Sequence, residues 1–100
     1  MKFKHNWELS STDELQEIFD GGNKKLSDII VDIALANVKT KRKTIPVITI
    51  STKDNDLIYD IIIDREDLIT TLEVNLETME DYEDYNRCAK IQKALVYLKK

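Results

Sequence analysis

One hundred residues make room for one domain. Hydrophobic side chains make up 42% and charged ones 34%, with two Gly and one Pro, so the chain is too apolar to be disordered and too poor in Gly and Pro to be linker-rich. One Cys and one His exclude an internal disulfide and a zinc site built from several Cys and His, and the net charge of −4 argues against a phosphate-binding surface as the chain's main function.

Phe3, His5, Trp7 and Leu9 alternate with Lys4, Asn6 and Glu8, the period of a strand with one apolar face. Ser11 stands three residues before Glu14, the capping-box spacing, and Leu15, Ile18 and Phe19 form a helical stripe behind it. Gly21-Gly22-Asn23 predicts the end of that helix. Ser27 then caps a second helix whose stripe is Ile29, Ile30, Ile33, Ala34, Asn37 and Val38. Beyond it, Ile45 to Ser51 and Leu57 to Ile63 are β-branched runs around the polar residues 52–56, which predicts a hairpin. In its second strand Leu57, Tyr59, Ile61 and Ile63 share the face expected to be buried.

Asp64 caps a third helix with the stripe Leu68, Ile69, Leu72, Leu76 and Met79. The last segment, from about Asp81 to Leu98, opens with acids and closes with lysines, the order the helix dipole favours. Tyr85, Cys88, Ile91, Leu95 and Leu98 follow a three-four spacing along it, an apolar seam suited to another helix. No Gly or Pro separates Met79 from Asp84, so the pattern fits either a helical hairpin or one helix of about 50 Å. A hairpin is expected, because a small domain leaves so long a helix mostly uncovered. The expected fold is α+β: a small antiparallel sheet, made of the central hairpin and the N-terminal strand, with four helices. It is one domain over residues 1–100, with 1–64 as the α/β core and 65–100 as the C-terminal helical hairpin.

Charge is unevenly placed. From Asp54 to Asp84 twelve acids stand against one base, Arg65, whereas from Tyr85 onward there are five bases and no acid. The acidic surface comprises Asp54, Asp56, Glu73, Glu77, Glu80, Asp81, Glu83 and Asp84. Such a block keeps a small protein soluble, or it meets something basic. A basic patch, Lys39, Lys41, Arg42 and Lys43, falls where the second helix ends, and there it offsets the helix dipole.

Catalytic chemistry is thinly supplied. His5 lies on an alternating strand with no partner nearby in sequence, and Cys88 on a helical stripe reads as a small buried apolar group. Asp54, Asp56, Asp60 and Asp64 recur within eleven residues, but without the glycine and closing glutamate of an EF-hand loop, so no metal site is expected. The two glycines are adjacent, which rules out a P-loop and a dinucleotide fingerprint. No G-x-S-x-G elbow is present, and no Lys follows an acid by two positions as a restriction-type nuclease requires. No catalytic residue, no cofactor and no enzymatic activity are expected. The N-terminus has a basic flank without an apolar stretch behind it, and the longest aliphatic runs are three residues, so neither a signal peptide nor a membrane span is expected. The expected location is the cytoplasm.

The run Glu83-Asp84-Tyr85-Asn86-Arg87-Cys88-Ala89-Lys90-Ile91-Gln92-Lys93-Ala94-Leu95 resembles the second helix of the UVR motif, the helical hairpin of the excision-repair subunits B and C and of some protease adaptors. The resemblance rests on the E-D-Y start, Arg87, Ala89, Ile91 and Leu95, with Leu72, Leu76 and Met79 similar to the apolar face of the first helix. It covers roughly 30 residues and departs at Cys88 and at Gln92-Lys93. It implies a hairpin that pairs with another helical hairpin and catalyses nothing. The expected function is therefore a non-catalytic protein-interaction module, an adaptor, regulator or inhibitor in the style of phage accessory proteins. It docks on an unidentified protein, or on a second copy as a homodimer, through Tyr85, Cys88, Ile91, Leu95 and Leu98. The alternative is a nucleic-acid mimic that uses residues 54–84 to block a DNA- or RNA-binding protein. Direct nucleic-acid binding is not expected.

Overall fold

A computed structural model of the chain describes residues 2–21 and 23–100. The elements run β1 (His5–Leu9), α1 (Thr12–Gly21), α2 (Lys24–Ala36), β2 (Thr44–Thr52), β3 (Ile58–Asp64), a single 3-10 turn (Arg65–Asp67), α3 (Leu68–Asp81) and α4 (Tyr85–Leu98). The fold is α+β with four helices, as the pattern predicts. The molecule measures 46 × 31 × 17 Å, and its thin dimension is that of one sheet and one helical layer.

Strand order is β1-β2-β3. β2 and β3 form the expected antiparallel hairpin, but β1 lies parallel to β2, with His5 opposite Ile48 and Leu9 opposite Thr52. The sheet is therefore mixed where a purely antiparallel one was expected. The cause is the α1–α2 crossover, which carries the chain back to the end where β1 began, and a parallel pair needs a connection of that length. Pro46 sits where the β2–β3 register slips: Pro46 faces Ile62 and Ile48 faces Ile61, leaving Val47 as the extra residue. A proline in a central strand is accommodated at such a bulge because it has no N–H for the ladder.

The helices cover one face of the sheet. Ile45, Ile48, Ile50 and Ile63 from the strands meet Val31 and Ala34 of α2, Leu72 and Met79 of α3, and Ile91 of α4 in one buried cluster. On β3, Ile63 is buried and Leu57 and Ile61 are half-buried, but Tyr59 is exposed, contrary to expectation. Burial falls off toward the hairpin loop, where Phe19 of α1 meets Tyr59 edge-on with ring centroids 6.5 Å apart.

Polar side chains fix the helix ends. Ser11 Oγ accepts the Glu14 N–H (3.2 Å), while the Glu14 carboxylate reaches back to the Ser10 N–H (3.1 Å). The hairpin loop also holds this helix start, since Asp54 accepts from the Thr12 N–H (2.9 Å) and hydroxyl (3.1 Å). α2 begins three residues before the expected Ser27 cap: Asn23 takes that role, accepting the Leu26 N–H at 3.0 Å. Of the expected stop signal before it, Gly22 lies outside the described residues. At the other end of α2, Arg65 donates to the carbonyls of Asn37 (2.6 Å) and Val38 (2.7 Å), capping α2 from the 3-10 turn that precedes α3.

α3 and α4 pack on each other as a hairpin. Their corner is a Schellman motif: Asp84 N–H donates to the Met79 carbonyl (2.9 Å) and Glu83 N–H to the Glu80 carbonyl (3.0 Å). The position that usually holds glycine is Glu83, at φ 59°. A side chain there costs about 1–2 kcal/mol, part of which glycine gives back as unfolded-chain entropy. Glu83→Gly is therefore expected to stabilise the protein by roughly 0.5 kcal/mol and to raise Tm by about 3 °C in a calorimetric scan. A lower Tm would contradict this corner geometry.

Candidate interaction site

The expected docking seam lies inside the protein. Cys88 (6% exposed), Ile91 (0%) and Leu95 (8%) are buried and Leu98 is partly buried, all packed within the cluster that includes Leu72 and Met79 of α3. Of the five expected interaction residues only Tyr85 is well exposed, at 66%. From Cys88 to Leu95 the stripe meets its partner helix within the same chain, and those side chains are withdrawn from the surface.

The outward side of α4 carries what the pattern did not single out. Lys90, Lys93, Ala94 and Tyr97 face the end of α2, and with Leu35 and Val38 they line an apolar groove of about 350 Å³. Lys39 closes the rim, its Nζ 5.4 Å from the Tyr97 ring centroid. Across Ala36 a smaller hollow of about 220 Å³ is lined by Lys2, Lys4 and Arg42 among others. Among the described residues no acid lines either hollow. The expected basic patch is thus divided: Lys39 joins the groove and Arg42 the hollow, while Lys41 and Lys43 are exposed beside them. The spacing Lys90, Lys93, Tyr97 marks one helical face and was the available signal.

The expected acidic surface is partly engaged by the fold. Asp54 holds Thr12, and its carboxyl is lowered from the ordinary value chiefly by the Thr12 N–H. Glu73 pairs with Lys99 at 3.1 Å. Asp84 sits in an ion network with Lys24, Asp28, Asp32 and Arg87. Arg87 forks onto Asp32 (Nε–Oδ1 3.0 Å, Nη2–Oδ2 2.8 Å) and reaches Asp84 (2.8 Å), while Lys24 bridges Asp28 (3.0 Å) and Asp84 (3.2 Å). Asp84 also caps α4 by accepting the Arg87 N–H (3.3 Å). Asp56, Glu77, Glu80, Asp81 and Glu83 remain exposed.

The acids considered for metal binding are spread out in function: Asp54 serves Thr12 and Asp60 accepts from Thr49 (3.0 Å). Asp64, Glu66 and Asp67 do bring carboxylate oxygens within 4.8 Å of one another, all exposed, at the 3-10 turn that leads into α3. His5 is half-buried on β1 opposite Ile48. Among the described residues no helix is long and apolar enough to cross a membrane. No family model, no curated protein and no solved structure matches the chain.

The Asp84 carboxyl is held down to about 2, mainly by the Arg87 guanidinium and then by the Arg87 N–H and Lys24, against the opposing effect of burial. The folded carboxyl ionises at lower pH than the unfolded one, so its stabilisation is complete above about pH 4 and is lost as the pH falls toward 2. Asp84→Asn is expected to lower the urea midpoint at neutral pH, with a deficit that shrinks steadily between about pH 4 and 2. A deficit that stays constant through that range would show that the charge on Asp84 is not what holds the α2–α4 junction.

Proposed function

We propose that this protein is a non-catalytic interaction module that docks a partner protein through α4, on the outward groove between α4 and α2. The observation that carries the reading is that groove itself: an apolar floor with Lys39, Lys90 and Lys93 at its rim, in a chain whose charge is otherwise negative. Its occupant by charge complementarity is a segment with apolar side chains flanked by carboxylates. The apolar floor favours a peptide over a nucleic-acid backbone, which would be gripped through phosphates alone. The UVR resemblance of residues 83–95 agrees only with the general class, a hairpin that pairs with another helical hairpin and catalyses nothing, since its apolar residues Ile91 and Leu95 are buried in this chain. Adaptor, regulator and inhibitor are all roles that docking of this kind serves, and phage accessory proteins are the style of protein it fits.

Capture from lysate of the source cells, with wild type and with Lys90→Glu/Lys93→Glu side by side, tests the site. Both lysines are exposed, so Tm should stay within about 1 °C while binding of a stoichiometric partner falls at least about tenfold. A partner retained in full by the double variant would remove the groove as the site. If that retained partner is also released between about 50 and 200 mM salt, the exposed carboxylates of residues 54–84 are the contact, and the nucleic-acid-mimic reading replaces this one. Leu95→Asp, by contrast, is expected to unfold the protein rather than to block docking selectively, and circular dichroism distinguishes the two.

A further inference from the structure

β3 is an edge strand, and its open side runs beside α3. Thr52 N–H donates to the Leu57 carbonyl (2.9 Å) and Arg65 N–H to the Lys43 carbonyl (2.7 Å), so odd-numbered positions from 57 to 65 turn their backbone toward β2. By the two-residue period, the N–H and C=O groups of Ile58, Asp60 and Ile62 point to the open edge. Natural edges are usually blunted by lysine, proline or a covering element. This one instead exposes Ile58 (70%) and Ile62 (43%). Between the edge and α3 lies a groove of about 360 Å³ lined by Ile61, Ile63, Thr71, Val74 and Asn75, with Val74 itself 60% exposed.

We infer that this edge accepts an extended segment of a partner protein as a fourth strand, with apolar side chains in the groove and basic side chains on the opposite face. Strand addition supplies the free N–H and C=O groups with partners, and the groove takes every second side chain. The basic character follows from the charges beside the edge. Asp60 lies between Ile58 and Ile62 on the face away from the helices, and Asp64, Glu66 and Asp67 gather their carboxylates at the end of β3. A second copy is a poor occupant, because two such edges would set these acids against each other. None of the residues lining this groove lines the α2–α4 groove, so the inference stands apart from the function proposed above.

The probe is a fluorescein-labelled heptapeptide alternating Val with Lys, compared with a Val/Glu counterpart by fluorescence polarisation. Two further Val/Lys peptides are N-methylated at alternate residues, one on each set. The expected result is saturable binding of the Val/Lys peptide below about 1 mM and at least tenfold weaker binding of the Val/Glu one. Methylation of one set should weaken binding at least tenfold and of the other less than about twofold, because only alternate N–H groups face β3. Ile62→Pro removes an outward N–H and should abolish binding without altering Tm, since edge strands tolerate proline there. Should that variant unfold, the methylated peptides on the wild-type protein carry the test alone. The inference is overturned if no Val/Lys binding is seen at 1 mM, if both methylated sets behave alike, or if amide shifts on titration fall on Lys90, Lys93 and Tyr97 instead of β3. A wild-type dimer that Ile62→Pro dissociates would give the edge to a second copy and overturn it equally.

Discussion

The chain reversal at residues 82–84 is the constraint on which the rest depends. The sequence there offers neither glycine nor proline: Glu83 takes the left-handed backbone, and Asp84 makes the hydrogen bonds that close the corner. Asp84 donates its N–H to the Met79 carbonyl, accepts the Arg87 N–H as the cap of α4, and accepts the Arg87 guanidinium. Closing that corner lays α4 back on α3, and the Arg87 fork then meets Asp32 on α2. Three helices become one layer over the sheet. Had the two segments continued as one helix, the seam of Cys88, Ile91 and Leu95 would face solvent or a second chain.

Closure of the hairpin also decides what the protein offers to others. With the apolar stripe consumed by the core, α4 presents its lysines and Tyr97, and these meet the end of α2 in a cation-rimmed groove. The groove beside β3 has the opposite character, with Asp67 in its lining and the carboxylates of Asp64, Glu66 and Asp67 gathered at the end of the strand. A net charge of −4 conceals this division. These two small clefts of opposite sign sit on one two-layer scaffold, and each favours ligands of the complementary charge.

Much of this was legible from periodicity. The alternation of residues 3–9, the helical stripes and the polar break at 52–56 gave the elements and most of the core, because each depends on neighbours within a turn or a strand. Long-range choices left no such trace. Nothing in His5–Leu9 records whether β1 runs with β2 or against it, and Tyr59 repeats a buried pattern although the helical layer stops short of it. An amphipathic stripe looks the same whether its partner is in the same chain or another, which is why the seam read as a docking site. The groove was missed because Leu35 and Tyr97 stand 62 positions apart and only the fold brings α2 and α4 together. Likewise, Asp54 reads as a loop acid until Thr12 is seen against it.

The single cysteine tests the central claim, that the α4 stripe is interior. Cys88 is buried, and burial together with Glu80 and Asp84 pushes its thiol above the ordinary range. Its reaction with Ellman's reagent should therefore proceed only through opening of the α3–α4 hairpin, roughly a thousandfold or more slower in buffer than in denaturant. Rapid stoichiometric modification of the native protein, at a rate near that of the unfolded chain, would mean that the seam is exposed and that the account of α4 is wrong.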